Sequence, residues 1–347
     1  MKFQLIEQKK EIRGFKHFKN TLIIGDINGN LYLNQHLLAK DVDTSTHSLN
    51  ILNNLLFFNV QDTKSFYDFA NSKLTELGNI YPYFNFRNEK ELLCTYNSRI
   101  ENGKFIWDTV LYDLEKKLVI KYLPELTNVS IAEKLNKDYL IVYKHDYGLV
   151  NFSLLTSDYE WETDLGKYGE IRKILGIHEG LLWVSMYRGG ETKDIKRLLA
   201  MDIDNGEVYL QPSTELPISD CFVEYLSEKR SILSIFGKIA SYPSDSLLVE
   251  LDAQTGAVLR NQRIESLFQE NLKIGHWKYF EDKIFFTANT DMLTSTHIGV
   301  LDYKTLDLLW CCEVPNRKGF LKDLQVTEDK IYVLDQGGTL HIFEREE

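Results

Sequence analysis

The stretch LDAQTGAVLRN, which begins at Leu251, carries the pattern that decides the fold. An apolar residue and an aspartate precede two variable residues, a turn and an apolar strand. The same pattern returns as MDIDNGEVYLQ from Met201 and as LDYKTLDLLWC from Leu301. Weaker copies begin at Tyr112, at Tyr67 and, with Ser153 in place of the aspartate, at Phe152. Because self-similarity along a chain is the signature of repeat architectures, we expect one structural unit repeated many times.

The physical chemistry of this pattern is that of a β-hairpin. Asp202, Asp252 and Asp302 are predicted to end a strand, where a short carboxylate accepts hydrogen bonds from the N–H groups of the following turn. Gly206 and Gly256 suit the positive φ that such turns require. The repeated aspartates are therefore predicted to be structural and not catalytic.

A short run of buried-strand residues precedes each copy of the pattern. Eight such runs are present, at residues 22–24, 55–58, 92–93, 139–143, 181–184, 232–236, 284–286 and 331–334. Runs of β-branched and aromatic residues bounded by turns indicate strands buried on both faces. Eight runs in 347 residues give a period of about 43 residues, which is typical of a four-stranded propeller blade.

We therefore predict an all-β fold, a single β-propeller domain of four-stranded antiparallel blades spanning residues 1–347. Eight is the preferred number of blades. Seven is the alternative, if one of the early hairpin assignments is incorrect. The C-terminal sequence KIYVLDQGGTLHIF leaves its blade without an outer strand, which the N-terminal FQLIEQ can supply. That pairing would close the ring and remove a free sheet edge.

The phrase L-D-A-Q-T-G at residues 251–256, together with a tryptophan eight residues after Asp302 at Trp310, resembles the repeat of quinoprotein-like (PQQ-like) β-propellers. The resemblance implies the propeller fold. It does not imply one function, because this family includes dehydrogenases, assembly factors and binding scaffolds. WD-repeat and Kelch propellers fit less well, because no regular Gly-His…Trp-Asp phrase is present and the two Gly-Gly pairs, at residues 189–190 and 337–338, do not recur blade by blade.

Composition narrows the classes of function. The chain is 44% hydrophobic with a formal net charge of −11, so it is globular, and its acidity argues against binding nucleic acid or anionic membranes. The N-terminal sequence lacks the apolar core of a secretory signal, and no run is long enough for a membrane helix. Four cysteines, Cys94, Cys221, Cys311 and Cys312, lack metal-ligand spacing. We expect a soluble, reduced, cytoplasmic protein.

Chemistry-bearing motifs are scarce. The sequence contains no Gly-x-Ser-x-Gly elbow, phosphate loop or dinucleotide fingerprint, and its eight histidines are not paired at ligand spacing. Adjacent Cys311 and Cys312 raise the hypothesis of a quinone-dependent dehydrogenase, since a vicinal disulfide stacks on the cofactor in some enzymes of the resembled family. Their position on an outer strand instead favours two small, partly buried side chains. We predict no catalytic, cofactor-binding or metal-binding residues, and no enzyme.

The other sequence feature that points to a function is the set of loops that join the second and third strands of the predicted blades. Three of these are long, at residues 186–196, 237–245 and 288–296, and a fourth at residues 97–104 holds Arg99 and Glu101. Aromatic and charged side chains on rigidly mounted loops are typical of a protein-binding surface. The predicted partner-binding residues are Tyr187, Arg188, Lys193, Asp194, Tyr242, Asp245, Asp291 and Met292.

The sequence thus predicts a non-catalytic scaffold that binds another protein, and the acidic surface favours a basic partner. One version of this hypothesis is an immunity protein that neutralises a toxin. The alternative is a carbohydrate- or small-molecule-active propeller with carboxylates converging in its central channel.

Overall fold

The computed structural model describes residues 1–52, 54–61, 63–83, 91–127, 130–134, 138–188, 195–211, 233–235, 238–241, 247–290 and 295–346. The strands of the first half are β1 (Phe3–Lys9), β2 (Ile12–Phe18), β3 (Thr21–Asp26), β4 (Leu31–Leu33), β5 (His36–Ala39), β6 (Asn50–Leu52), β7 (Leu55–Val60), β8 (Thr63–Asp68), β9 (Lys73–Gly78), β10 (Ile80–Pro82), β11 (Glu91–Glu101), β12 (Lys104–Asp113), β13 (Leu118–Tyr122), β14 (Ser130–Lys134), β15 (Tyr139–His145) and β16 (Gly148–Ser153). The strands of the second half are β17 (Asp158–Asp164), β18 (Glu170–His178), β19 (Leu181–Arg188), β20 (Ile195–Asp202), β21 (Val208–Leu210), β22 (Leu233–Ile235), β23 (Lys238–Ser241), β24 (Leu247–Asp252), β25 (Val258–Arg263), β26 (Lys273–Phe280), β27 (Lys283–Asn289), β28 (Ser295–Asp302), β29 (Leu308–Glu313), β30 (Leu321–Val326), β31 (Lys330–Asp335) and β32 (Leu340–Arg345). Helical structure within the described ranges is limited to α1 (Glu265–Gln269) and two 3-10 turns, Pro124–Leu126 and Gly166–Tyr168.

The described strands form eight four-stranded antiparallel sheets. Sheets I to VII take four consecutive strands each, from β2–β5 to β26–β29, and sheet VIII combines β30, β31 and β32 with β1. The pairing of β1 with β32 confirms that the N-terminal strand completes the last sheet. The chain divides into two compact units, one containing sheets I, VI, VII and VIII and the other sheets II to V.

In both units the hydrophobic core lies between successive sheets. In the second unit, Leu140 and Val142 of β15 pack into a cluster shared with sheet III, whereas the intervening Ile141 packs into a cluster shared with sheet V. All three side chains are fully buried. Side chains of a strand alternate between the two faces of its sheet, so a strand covered on both faces reads as a continuous apolar run.

The hairpin pattern forms the predicted turn. Asp302 ends β28, and its Oδ1 accepts hydrogen bonds from the N–H groups of Lys304 (2.8 Å) and Thr305 (2.9 Å). Gly206 and Gly256 have φ of +74° and +70°. These observations confirm a structural role for the repeated aspartates and the positive φ predicted for both glycines.

In the copies at Phe152 and Leu251, the position eight residues after Ser153 or Asp252 links the hairpin to the next sheet. There the Nε1 of Trp161 donates to the carbonyl of Ile203 at 2.8 Å. Gly206 lies in the same neighbouring turn, and a Cβ built on it would come within 2.5 Å of the Trp161 ring. The corresponding Arg260 donates to the carbonyl of Tyr303 at 2.8 Å. The repeated pattern therefore encodes contacts between sheets as well as a turn.

One detail of the sequence interpretation was wrong. The run at residues 232–236 corresponds to β22, the first strand of sheet VI, whereas the other runs correspond to second strands. First strands also carry charged groups, such as Arg13 and Lys16 on β2. Burial lowers the pKa of Lys16, and the nearby Asp323 carboxylate on β30 partly opposes that change.

Candidate functional site

The predicted partner-binding residues fall at the ends of strands and in connections between second and third strands. Tyr187 and Arg188 belong to β19, where they pair with Lys196 and Ile195 of β20. The predicted loop at residues 186–196 is therefore too long at both ends, because the ladder of the two strands continues into it. The other six predicted residues lie outside the described residues: Lys193, Asp194, Tyr242, Asp245, Asp291 and Met292.

The other two predicted loops are also shortened by their strands. Residues 238–241 of the loop predicted at 237–245 form β23, and the loop predicted at 288–296 begins within β27 and ends within β28. The strands continue because their backbone groups remain paired, as Lys238 with Asp252 and Ala288 with His297 show.

The fourth predicted loop, residues 97–104, is the end of a long β-hairpin. Strands β11 and β12 have 11 and 10 residues, and they are joined by Asn102 and Gly103, whose φ values are +52° and +73°. Two consecutive positive φ values define the tight turn whose twist matches that of antiparallel strands. A rigid hairpin therefore replaces the predicted loop.

One face of this hairpin presents apolar side chains to solvent. Ile100 pairs directly with Phe105, and they are 74% and 59% exposed. The ring of Trp107, two residues along the same face, lies 5.9 Å from that of Phe105. The indole Nε1 donates to the hydroxyl of Tyr83 at 3.2 Å, which fixes the base of the cluster. We call Ile100, Phe105 and Trp107 the hairpin face.

The opposite face of the hairpin is charged. The Arg99 guanidinium contacts Glu101 Oε1 at 2.6 Å and Asp108 Oδ1 at 3.0 Å. Hydrogen bonds to Glu101 and then to Asp108 raise the pKa of Arg99. Together with the exposed Lys104, which pairs with Glu101 across the hairpin, these residues form a charged side with internal partners, and the other side is apolar and directed to water.

The hairpin face lies on the side of sheet III that packs against sheet IV. Phe105, Trp107, Thr109 and Leu111 alternate along β12 and so share one face. Leu111 belongs to the core cluster between sheets III and IV, and Thr109 Oγ1 donates to the carbonyl of Leu126 at 2.8 Å in the connection between them. The apolar tip therefore continues the core face beyond the covered part of the sheet.

The neighbouring turn of sheet IV is much shorter than this hairpin. Eight residues separate the core residue Leu111 from Gly103 at the tip, whereas three separate Val150, in the same cluster, from Tyr147. At the rise of an antiparallel strand, the difference corresponds to about 17 Å of overhang. The hairpin face thus extends beyond the turn of sheet IV, on the side of sheet III that packs against that sheet.

That end of sheet IV is acidic. The N–H of Leu165 donates to the carbonyl of Tyr147, and the N–H of Ile171 donates to that of Asp146, both at 2.8 Å, which ties the connection between sheets IV and V to the turn. Asp146, Asp164 and Glu170 are exposed in these segments. We call these three residues the acidic end of sheet IV.

The adjacent cysteines do not form a facing pair. Neighbouring residues of a strand project to opposite faces, and Cys311 packs with the cluster between sheets VI and VII while Cys312 packs with that between sheets VII and VIII. Burial raises the pKa of Cys311 to about 11 and that of Cys312 to about 12. This geometry opposes the vicinal disulfide that raised the quinone-dehydrogenase hypothesis.

The buried imidazole of His341 has structural partners on both of its nitrogen atoms. His341 is fully buried, with its Nε2 3.1 Å from Asp335 Oδ2 and its Nδ1 2.9 Å from Gln8 Nε2. This contact joins β1 to the sheet that it completes.

The described part of the chain contains no group of three or more histidine, cysteine, aspartate or glutamate residues placed to hold a metal ion. Among those residues, no helix is long and apolar enough to span a membrane.

Sequence reasoning did not identify Ile100 and Phe105 as surface residues. The signal that could have done so is the Asn102-Gly103 pair, which favours a two-residue hairpin turn. With that turn fixed, Ile100 and Phe105 become a directly opposed pair on one face.

Solved structures match the chain, whereas no protein-family model and no curated protein does. The C-terminal WD40 domain of Sif2 is 12% identical with a TM-score of 0.61, and the match covers 99% of each chain. Sqt1 from Saccharomyces cerevisiae is 11% identical with a TM-score of 0.60, covering 99% of this chain and 98% of Sqt1. BamB from Moraxella catarrhalis is 11% identical with a TM-score of 0.55, covering 99% of this chain and 100% of BamB.

At such identities the likeness concerns the fold alone. Together with the repeated four-stranded antiparallel sheets, it shows that the chain has the fold of a multi-bladed β-propeller.

Proposed function

We propose that the protein is a non-catalytic scaffold that binds another protein through the connections between second and third strands. The observation that carries this proposal is the hairpin face, which holds two large apolar side chains, Ile100 and Phe105, mostly exposed on a rigid hairpin. Exposed apolar side chains on a fixed framework lose little conformational freedom on binding and supply the desolvated centre of an interface.

We also propose that the partner-binding residues inferred from the sequence, which lie at or near the corresponding connections of sheets V, VI and VII, contact the partner: Tyr187, Arg188, Lys193, Asp194, Tyr242, Asp245, Asp291 and Met292. A net charge of −11 favours a basic partner through electrostatic steering. An immunity protein that neutralises a toxin in the cytoplasm is the specific version we propose.

The chain's family is also part of the proposal. Two observations support a PQQ-like repeat: the phrase at residues 251–256, and the contacts that Trp161 and Arg260, eight residues after Ser153 and Asp252, make with the next sheet. This assignment adds no chemistry to the proposed function, because one fold hosts many functions.

The test is affinity purification of the tagged full chain from its native cells, read by mass spectrometry. A parallel sample uses a variant with residues 189–194, 242–244 and 291–294 each replaced by a two-residue Asn-Gly turn. A stoichiometric partner recovered with the wild type and lost with the variant is the expected result. Charge reversal of Asp194, Asp245 and Asp291 should weaken the same complex. Absence of any partner from both samples would contradict the scaffold function.

A further inference from the structure

We propose that the hairpin face and the acidic end of sheet IV together form a docking site for a basic amphipathic segment of a protein partner. The inference rests on the proposed scaffold function and specifies one binding element and the chemistry of its ligand. The two halves belong to neighbouring sheets, and the hairpin face lies on the side of β12 that packs against sheet IV.

The apolar half is preformed. Ile100 and Phe105 are held opposite each other by the β-ladder, and Trp107 is fixed by its hydrogen bond to Tyr83. The overhang of about 17 Å equals about five strand residues. An extended or helical segment lying beneath the hairpin would cover the exposed Ile100 and Phe105 side chains while remaining beside the end of sheet IV.

The polar half determines the sign of the partner's charge. The carboxylates of Asp146, Asp164 and Glu170 are exposed. A fourth exposed carboxylate, that of Glu125, lies in the connection from sheet III to sheet IV. One exposed lysine, Lys167, lies in the described part of the connection from sheet IV to sheet V. A partner segment with lysine or arginine opposite its apolar side chains would satisfy both halves at once.

The charges of the hairpin itself favour a protein over a lipid surface. Arg99 is paired with both Glu101 and Asp108, so it does not offer the concentrated positive charge that anionic headgroups attract. The acidic end of sheet IV would repel those headgroups. An apolar tip beside carboxylates therefore matches a basic polypeptide.

The experiment uses the full chain to select from a displayed library of random 12-residue peptides, followed by fluorescence anisotropy with synthesised winners. The test variants are Ile100→Ser/Phe105→Ser and Asp146→Lys/Glu170→Lys. The matched control is Leu155→Ser/Glu160→Lys, because Leu155 is 68% exposed and both residues lie at or near the β16–β17 turn, at the other end of sheet IV. Circular dichroism and urea midpoints verify that each variant folds like the wild type.

The expected winners combine apolar residues with lysine or arginine. Their affinity should fall about tenfold or more with Ile100→Ser/Phe105→Ser, as for hot-spot residues. It should fall severalfold, with a weaker salt dependence, with Asp146→Lys/Glu170→Lys, and stay within about twofold of wild type in the control.

Winners without basic residues, or winners that bind Ile100→Ser/Phe105→Ser as tightly as the wild type, would overturn the proposal. Flotation with phosphatidylcholine vesicles that depends on Ile100 and Phe105 would assign the hairpin to a membrane instead. If the partner from the native cells is lost with the loop variant but retained by Ile100→Ser/Phe105→Ser, the scaffold function stands and this docking site is wrong.

Discussion

Replacing Gly206 with alanine tests whether the contact between Trp161 and the next sheet stabilises the propeller. Gly206 has a φ of +74°, and an added Cβ would lie 2.5 Å from Cε3 of Trp161 and 2.7 Å from Oγ1 of Thr163. Both side chains would have to move. That movement would disturb two hydrogen bonds, from Trp161 Nε1 to Ile203 O at 2.8 Å and from Thr163 Oγ1 to Gly206 O at 2.6 Å.

The expected loss of unfolding free energy has three parts. Alanine in the left-handed region costs about 1–2 kcal/mol by itself. Displacing the indole adds about 1–3 kcal/mol for overpacking, and each weakened hydrogen bond adds about 1 kcal/mol. Gly180→Ala is the matched control, because Gly180 has a φ of +81° and nothing within 4 Å of an added Cβ. Gly206→Ala should therefore be at least about 2 kcal/mol more destabilising than Gly180→Ala.

The assay is urea unfolding of the two variants and the wild type, followed by circular dichroism. A double variant, Gly206→Ala with Trp161→Leu, removes the indole and should be less destabilised than the sum of the two single variants. Equal losses for Gly206→Ala and Gly180→Ala would refute the reasoning, since only backbone strain would then matter. Strict additivity in the double variant would do the same.

Three other perturbations have defined outcomes. Hydrogen bonds from the backbone of its own turn lower the pKa of Asp302, so its stabilising contribution is present above its unfolded-state pKa and is lost as the pH falls; Asp302→Asn should flatten the profile of stability against pH below about pH 5. The pKa is about 11 for Cys311 and about 12 for Cys312, so both should react with iodoacetamide at about pH 8 more than about a hundredfold slower than an exposed thiol. Urea should abolish the difference. Fast labelling of Cys311 or Cys312 in the native protein would contradict their burial. Gln8→Leu removes a partner of the buried His341 and should cost about 1–3 kcal/mol in urea unfolding, and an unchanged midpoint would show that this contact does not hold β1 in place.

The turns could be predicted from sequence because their chemistry is local. An aspartate that ends a strand and a glycine four residues later specify a conformation without help from the rest of the chain, as at Asp202 and Gly206. Leu306 occupies the glycine position of its own copy with a φ of +64°, and it is buried in the core between sheets VI and VII. At Leu306, burial of the side chain outweighs the preference for glycine at a positive φ. A turn rule based on local sequence does not predict this outcome.

The candidate site was harder to predict because it depends on contacts distant in sequence. The location of the hairpin face depends on the contacts of Leu111 and Thr109, which pack that side of β12 against sheet IV. The acidic end of sheet IV brings Asp146 together with Glu170 through a backbone hydrogen bond between the turn and the following connection. Charge and hydrophobicity along the sequence do not encode such proximity.

The pairing of β1 with β32 has a consequence for synthesis on the ribosome. Phe3 is translated more than three hundred residues before its partner Arg345, so at about 5–20 residues per second β1 must wait about 17–70 s for its partner strand. Until β32 has been synthesised, β1 lacks its partner strand, and the nascent protein would remain vulnerable to proteases at that strand.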